Sequence, residues 1–136
     1  VKVALTGATG YIGSHLLTGL HEHGTGQQHW STVHVADLAD FFPRVLEDGS
    51  ARGRYVIGNA VNPAVADLTE AAAVAVGAPG AVPGSDDEAR ARLGGSFAEV
   101  LLLDQGTVAA KVRAELGWSP SHRSLVEEFR YGSYRK

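Results

Sequence analysis

The chain of 136 residues has no cysteine, so disulfides, thiolate metal sites and cysteine nucleophiles are all excluded. Its 12 Lys+Arg against 15 Asp+Glu give a formal charge of −3, which leaves no electrostatic footprint for a nucleic-acid partner. No apolar run approaches the roughly 20 residues that span a bilayer. The opening stretch Val1–Thr6 meets glycine too soon to form a signal-peptide core. No G-x-S-x-G nucleophile elbow occurs. Lysine is scarce, with Lys2, Lys111 and Lys136 the whole complement. The composition, 44% hydrophobic and 20% charged, is that of an ordinary folded domain rather than a disordered segment. A single cytoplasmic domain without membrane or nucleic-acid partners is therefore expected.

What is present begins at the N-terminus. Val1 to Thr6 is β-branched and apolar, the pattern of a strand buried on both faces of a parallel sheet. Gly7, Gly10 and Gly13 follow in the run Gly7-Ala8-Thr9-Gly10-Tyr11-Ile12-Gly13, and Ile12, Leu16, Leu17 and Leu20 recur at helical spacing up to Gly24. In such a loop the first glycine permits a tight turn. The second lets the backbone approach a phosphate, and the third lets helix and strand pack closely. The helix N-terminus then offers unpaired N–H groups to a pyrophosphate. The loop, Gly7 through Gly13, is thus the candidate site for NAD or NADP.

Beyond it, residues 25–31 read as loop and Val33–Val35 as a short strand. Asp37–Leu46 reads as a helix with Leu38, Phe41, Phe42 and Val45 on one face and Pro43 disturbing its middle. Arg54–Ile57 reads as a buried strand. A helix starts at Asn62-Pro63 and ends at Gly77, and a connector spans 78–85. Ser85 followed by three acids opens a short helix to Leu93. Phe97–Leu103 is helix or strand, Thr107–Leu116 a helix closed by Gly117, and Ser124–Tyr131 a last helix.

The run Val3-Ala4-Leu5-Thr6-Gly7-Ala8-Thr9-Gly10-Tyr11-Ile12-Gly13 resembles the start of an extended short-chain dehydrogenase/reductase, in the NAD-dependent epimerase/dehydratase family. Val33-His34-Val35-Ala36-Asp37-Leu38-Ala39 is similar to that family's H-V-x-D-L-A segment, and Arg54-Tyr55-Val56-Ile57-Gly58 to a late sheet strand. Leu103-Asp104, Lys111 and Glu115-Leu116-Gly117-Trp118-Ser119-Pro120 resemble its C-terminal L-G-W-x-P signature. The resemblance implies an α/β fold, here a truncated Rossmann-like, doubly wound sheet with helices on its faces. It divides residues 1–136 into the glycine-loop unit, 1–24, and a remnant of the C-terminal substrate region, 25–136. More than a hundred family residues would fall between, among them the catalytic Tyr-x-x-x-Lys. Neither Thr107, four residues before Lys111, nor Gly132, four before Lys136, is a tyrosine, so no catalytic residue is assigned.

The expectation is an NAD(P)-binding relative of epimerases and dehydratases without turnover in this form. The alternatives are a non-catalytic interaction or homo-oligomerising domain, or an active oxidoreductase whose middle segment is not shown. Trp30 stands where family members acting on nucleotide sugars often carry a diphosphate-binding arginine, which points to a smaller or less charged substrate. Asp37 has two readings, a helix cap or the acid that binds the adenine ribose. His15, His21 and His23 read as solvated helix residues, and no metal site is expected.

Overall fold

The computed structural model describes residues 25–135. The glycine loop and its flanking strand and helix lie outside them, as do His15, His21 and His23. Among the described residues the chain forms six helices: α1 (Val35–Glu47), α2 (Val65–Ala75), α3 (Asp86–Leu93), α4 (Gly95–Leu102), α5 (Ala110–Leu116) and α6 (Leu125–Tyr131). No strand forms there; an isolated antiparallel bridge pairs His29 with Ala64, and Val82 is a further isolated bridge residue. This corrects the expectation of a doubly wound sheet.

The two segments read as strands show why. Val33–Val35 is cut short because α1 begins at Val35, with the extended His34 as its N-cap, its Nδ1 accepting a hydrogen bond from the Ala36 N–H. At 54–57 the burial does alternate, with Tyr55 and Ile57 half-buried and Val56 64% exposed. Side chains hold this segment instead of a backbone ladder. Lys111 Nζ donates to the Arg54 carbonyl at 3.2 Å and lies 4.3 Å over the Tyr55 ring, and the Tyr55 hydroxyl donates to Glu115 at 2.8 Å.

The helices follow the sequence signals closely. On α1 the stripe Leu38, Phe41, Phe42 and Val45 faces one apolar cluster, while Pro43 sits on the exposed side of the helix. Helix α2 starts two residues after Pro63. Its N-terminus has no side-chain cap, and the first N–H groups are met by main chain: Val65 donates to the Gln28 carbonyl and Ala66 to that of Gly26, both at 2.9 Å. That exchange lays residues 26–30 along the start of the helix. Gly77, with φ +71°, closes it in the left-handed conformation glycine adopts freely. Ser85 and Glu88 form a reciprocal capping box at α3. The ambiguous 97–103 stretch is helical and packs as α4 against α3. The Ser124 hydroxyl caps α6, which packs along α2.

Two apolar clusters form the core. One gathers Trp30, Val65, Leu68 and Leu101, with Leu93, Phe97, Leu125, Val126 and Phe129 against it. The other gathers Phe41, Ala109, Val112 and Trp118, with Leu38, Tyr55, Ile57 and neighbours around it. Among the described residues no helix is long and apolar enough to cross a membrane.

Candidate functional site

Of the residues singled out from the sequence, Gly7, Ala8, Thr9, Gly10, Tyr11, Ile12 and Gly13 lie outside the described residues. Trp30 and Asp37 do not, and both have structural work. The Trp30 indole is buried, with Nε1 donating to the Leu101 carbonyl at 2.9 Å. It is a core anchor. Asp37 is not the cap of α1, which is His34; it sits in the first helical turn.

The Asp37 carboxylate reaches across to residues 121–122. Oδ1 accepts from the Ser121 hydroxyl at 2.6 Å and the Ser121 N–H at 3.0 Å, and Oδ2 accepts from the His122 N–H at 3.0 Å. His122 Nδ1 stands 3.1 Å from Oδ1. Three of these contacts fall on Oδ1 and one on Oδ2, so the carboxylate is committed chiefly to holding the 121–122 loop. Burial pushes its pKa up, but the donors at Ser121 and His122 outweigh this and hold it at about 2.

Above this carboxylate the His34 and His122 rings stack, 3.9 Å between centroids and 15° from parallel. His34 Nδ1 accepts from a backbone N–H, so the neutral ring carries its proton on Nε2. That nitrogen is 2.8 Å from Ser133 Oγ, whose hydroxyl in turn donates to Glu128 at 3.0 Å. Burial lowers the His34 pKa and the neighbouring His122 lowers it further, while Glu128 and Asp37 pull it back up. His34, His122 and Glu128 bring three metal-ligand atoms within 4.8 Å of one another. We assign no metal there: binding one through His34 Nε2 would move its proton to Nδ1, against the Ala36 N–H, and near-parallel stacked rings do not aim their lone pairs at a common point. The cluster is a bolt joining α1 to the 121–122 loop and to the turn after α6.

A cleft of about 380 Å³ is lined by His29, Asn62, Asp104, Gln105 and Gly106. Three segments build it. Asp104 Oδ1 accepts from the His29 N–H at 2.8 Å and lies 2.9 Å from His29 Nδ1, and Gln105 N–H donates to the His29 carbonyl at 2.8 Å. Asn62 is held by the main chain of Thr107, accepting from its N–H and donating to its carbonyl. The His29 backbone N–H, followed by its side chain, keeps the Asp104 carboxyl below the usual carboxylate range. With Nδ1 directed at Asp104, His29 Nε2 is the ring nitrogen left to meet a ligand. The chemistry on offer is neutral hydrogen bonding plus one carboxylate, suited to a polar, uncharged group.

Sequence reading missed both the His34–His122 stack and the His29–Asp104 pair. Each joins residues far apart in the chain, and neither has a local spacing that announces it. The one available signal was the His34-x-x-Asp37 pattern at the start of a helix.

No protein-family model matches the chain, and no curated protein matches it. Among solved structures, its fold resembles that of the human epimerase family protein SDR39U1 (isoform 2), crystallised with NADPH. The TM-score is 0.73 at 21% sequence identity, and the likeness covers 91% of this chain and 43% of that one. The chain therefore spans less than half the length of the structure it matches. At this identity the likeness is one of fold.

Proposed function

We propose that the chain is an NAD(P)-binding protein related to the NAD-dependent epimerases and dehydratases, with Gly7 through Gly13 as its dinucleotide cradle. The observation that carries this is the G-x-x-G-x-x-G spacing between a strand pattern and a helix pattern, in a chain whose fold resembles an epimerase-family protein crystallised with NADPH. In this reading residues 1–24 hold the pyrophosphate on glycine backbone and helix N-terminus. Residues 25–136 supply the substrate side, with the His29–Asp104 cleft as its polar pocket. A cytoplasmic location fits a chain without cysteine or a long apolar run. These 136 residues contain no Tyr-x-x-x-Lys, so the assignment is to binding and leaves turnover aside.

Calorimetric titration with NADPH and NADH tests it. Saturable binding that is lost in Gly10→Val, where a side chain would meet the phosphates, is the expected result. No heat from either dinucleotide at millimolar concentration sinks the reading.

A second reading, self-association, draws on the exposure of Val100, Leu103 and Val108, at 51%, 56% and 65%. Sedimentation velocity decides it: a species that dissociates on Leu103→Asp supports assembly through this stretch, and a monomer at all concentrations removes it.

A further inference from the structure

A second cleft, about 360 Å³, is lined by Asn59, Ala60, Val61, Arg113, Ser119 and Arg123. Its charge sets it apart. The other described cations that pair do so locally: Arg44 with Asp40, Arg90 with Asp87 and Glu99, Lys111 with Glu115. The Arg113 and Arg123 side chains make no hydrogen bond or ion pair among the described residues, and no acid among those residues lines the cleft they share. They come from separate elements, Arg113 from α5 and Arg123 from the loop before α6, in a chain whose net charge is −3. Two unneutralised guanidiniums on one concavity repel each other, and an anion between them removes that cost.

The turn facing the arginines is rigidly made. Asn59 is buried, its Nδ2 donating to Thr32 Oγ1 at 3.1 Å and its Oδ1 accepting from the Val61 N–H at 3.0 Å. Between them Ala60 is held at φ +62°, a conformation a residue with a Cβ adopts only when its surroundings impose it. The Ser119 side chain adds a neutral donor at the rim.

We propose that this cleft binds the phosphate group of a small phosphate monoester, gripped by Arg113 and Arg123 with Ser119 assisting. Guanidinium is the side chain that meets phosphate with paired N–H donors, and two of them match a dianion. The cleft is of small-molecule size, leaving room for the organic part of the ester against Ala60 and Val61. The site lies apart from Gly7–Gly13 in sequence and does not depend on dinucleotide binding there.

The test is titration of the full chain with glycerol 3-phosphate, followed by calorimetry and by amide NMR shifts, with glycerol and succinate as controls. Expected are saturable shifts centred on residues 59–61, 113, 119 and 123 with the phosphate ester only. Affinity should fall about tenfold in Arg113→Gln and in Arg123→Gln, less in the corresponding lysine variants, and should persist in Gly10→Val. Both arginines are exposed, so circular dichroism should show both glutamine variants folded. The proposal is overturned by the absence of saturable shifts, by equal binding of succinate, by unchanged affinity in the glutamine variants, or by loss in Gly10→Val, which would place the phosphate on the glycine loop.

Discussion

The two apolar clusters are each built on one tryptophan, and the two indoles are treated in opposite ways. Trp30 is oriented by a hydrogen bond from Nε1 to the Leu101 carbonyl, and that carbonyl also accepts from Gln28 Nε2 at 3.3 Å. Trp118 is the more deeply buried, 1% exposed against 8%, yet its Nε1 finds no partner among the described residues. It packs edge-on against Phe41, 5.9 Å between centroids, and beside Val112. Trp30 thus specifies a position for α4, while Trp118 chiefly fills volume between α1 and α5 at the expense of one unsatisfied donor. The bolt at His34, Asp37 and His122 connects these regions, because α1 belongs to the Trp118 cluster and α6 to the Trp30 cluster.

The largest expected effect is truncation of either ring. Trp118→Ala and Trp30→Ala should each cost about 3–5 kcal/mol in denaturant unfolding, the range for removing a large buried aromatic. Next is the bolt. Asp37→Asn presents an amide to the N–H groups of Ser121 and His122, so it should cost about 2 kcal/mol and, more tellingly, uncouple the two regions. Following each remaining indole by fluorescence in Trp30→Phe and Trp118→Phe backgrounds checks this. One shared transition in the parent that splits in the Asp37→Asn variant is expected; a single transition in all of them would show that the bolt does not couple the clusters.

Acid should act on the same bolt, in two stages of known sign. The folded pKa of His34 lies below its unfolded value of 6.5, so the unfolded chain takes up the proton first and stability falls as pH drops through 6.5. Protonation would also set Nδ1–H against the Ala36 N–H and undo the cap. Asp37 is depressed to about 2, so its contribution holds above the unfolded value near 3.8 and is lost between pH 4 and 2. Urea midpoints should therefore decline below about pH 6.5 and again below about 4, and His34→Asn should remove the first decline while keeping the second.

Smaller effects sharpen the contrast between the indoles. Trp30→Phe loses a hydrogen bond as well as volume, whereas Trp118→Phe loses volume and an unsatisfied donor together. Trp30→Phe should be the costlier by about 1 kcal/mol; equal costs would mean the Leu101 bond adds nothing net. Last, Ser85→Ala breaks the α3 capping box for about 1 kcal/mol or less. Hydrogen exchange should quicken in α3 and α4, next to Trp30, with the Trp118 side unchanged.

Helix content was the legible part of this chain. The α1 stripe, the Ser85 and Ser124 caps and the glycines after α2 and α5 act within one or two turns, so local spacing reports them. The sheet expectation failed where an apolar run alone stood for a strand. The run at 54–57 was read as a buried strand, yet Val56 is exposed, and a strand also needs a partner backbone, which no local pattern supplies. Trp30 and Asp37 were conspicuous residues with plausible ligand roles, and both are engaged in holding the fold. The charged cleft at Arg113 and Arg123 was invisible because each arginine, seen singly on its own segment, reads as a solvated face.

By itself, the sequence determined what short-range physics determines: five of the six described helices, the Ser85 cap, the exclusion of cysteine chemistry, and a glycine loop of phosphate-binding spacing. The tertiary structure alone decided which polar groups meet. Asp37 with His122, His34 with Ser133, His29 with Asp104, and the two arginines of one cleft are pairs brought together by helix packing. Their meeting depends on where whole helices come to rest, and that is set by the burial of two tryptophans rather than by the polar residues themselves.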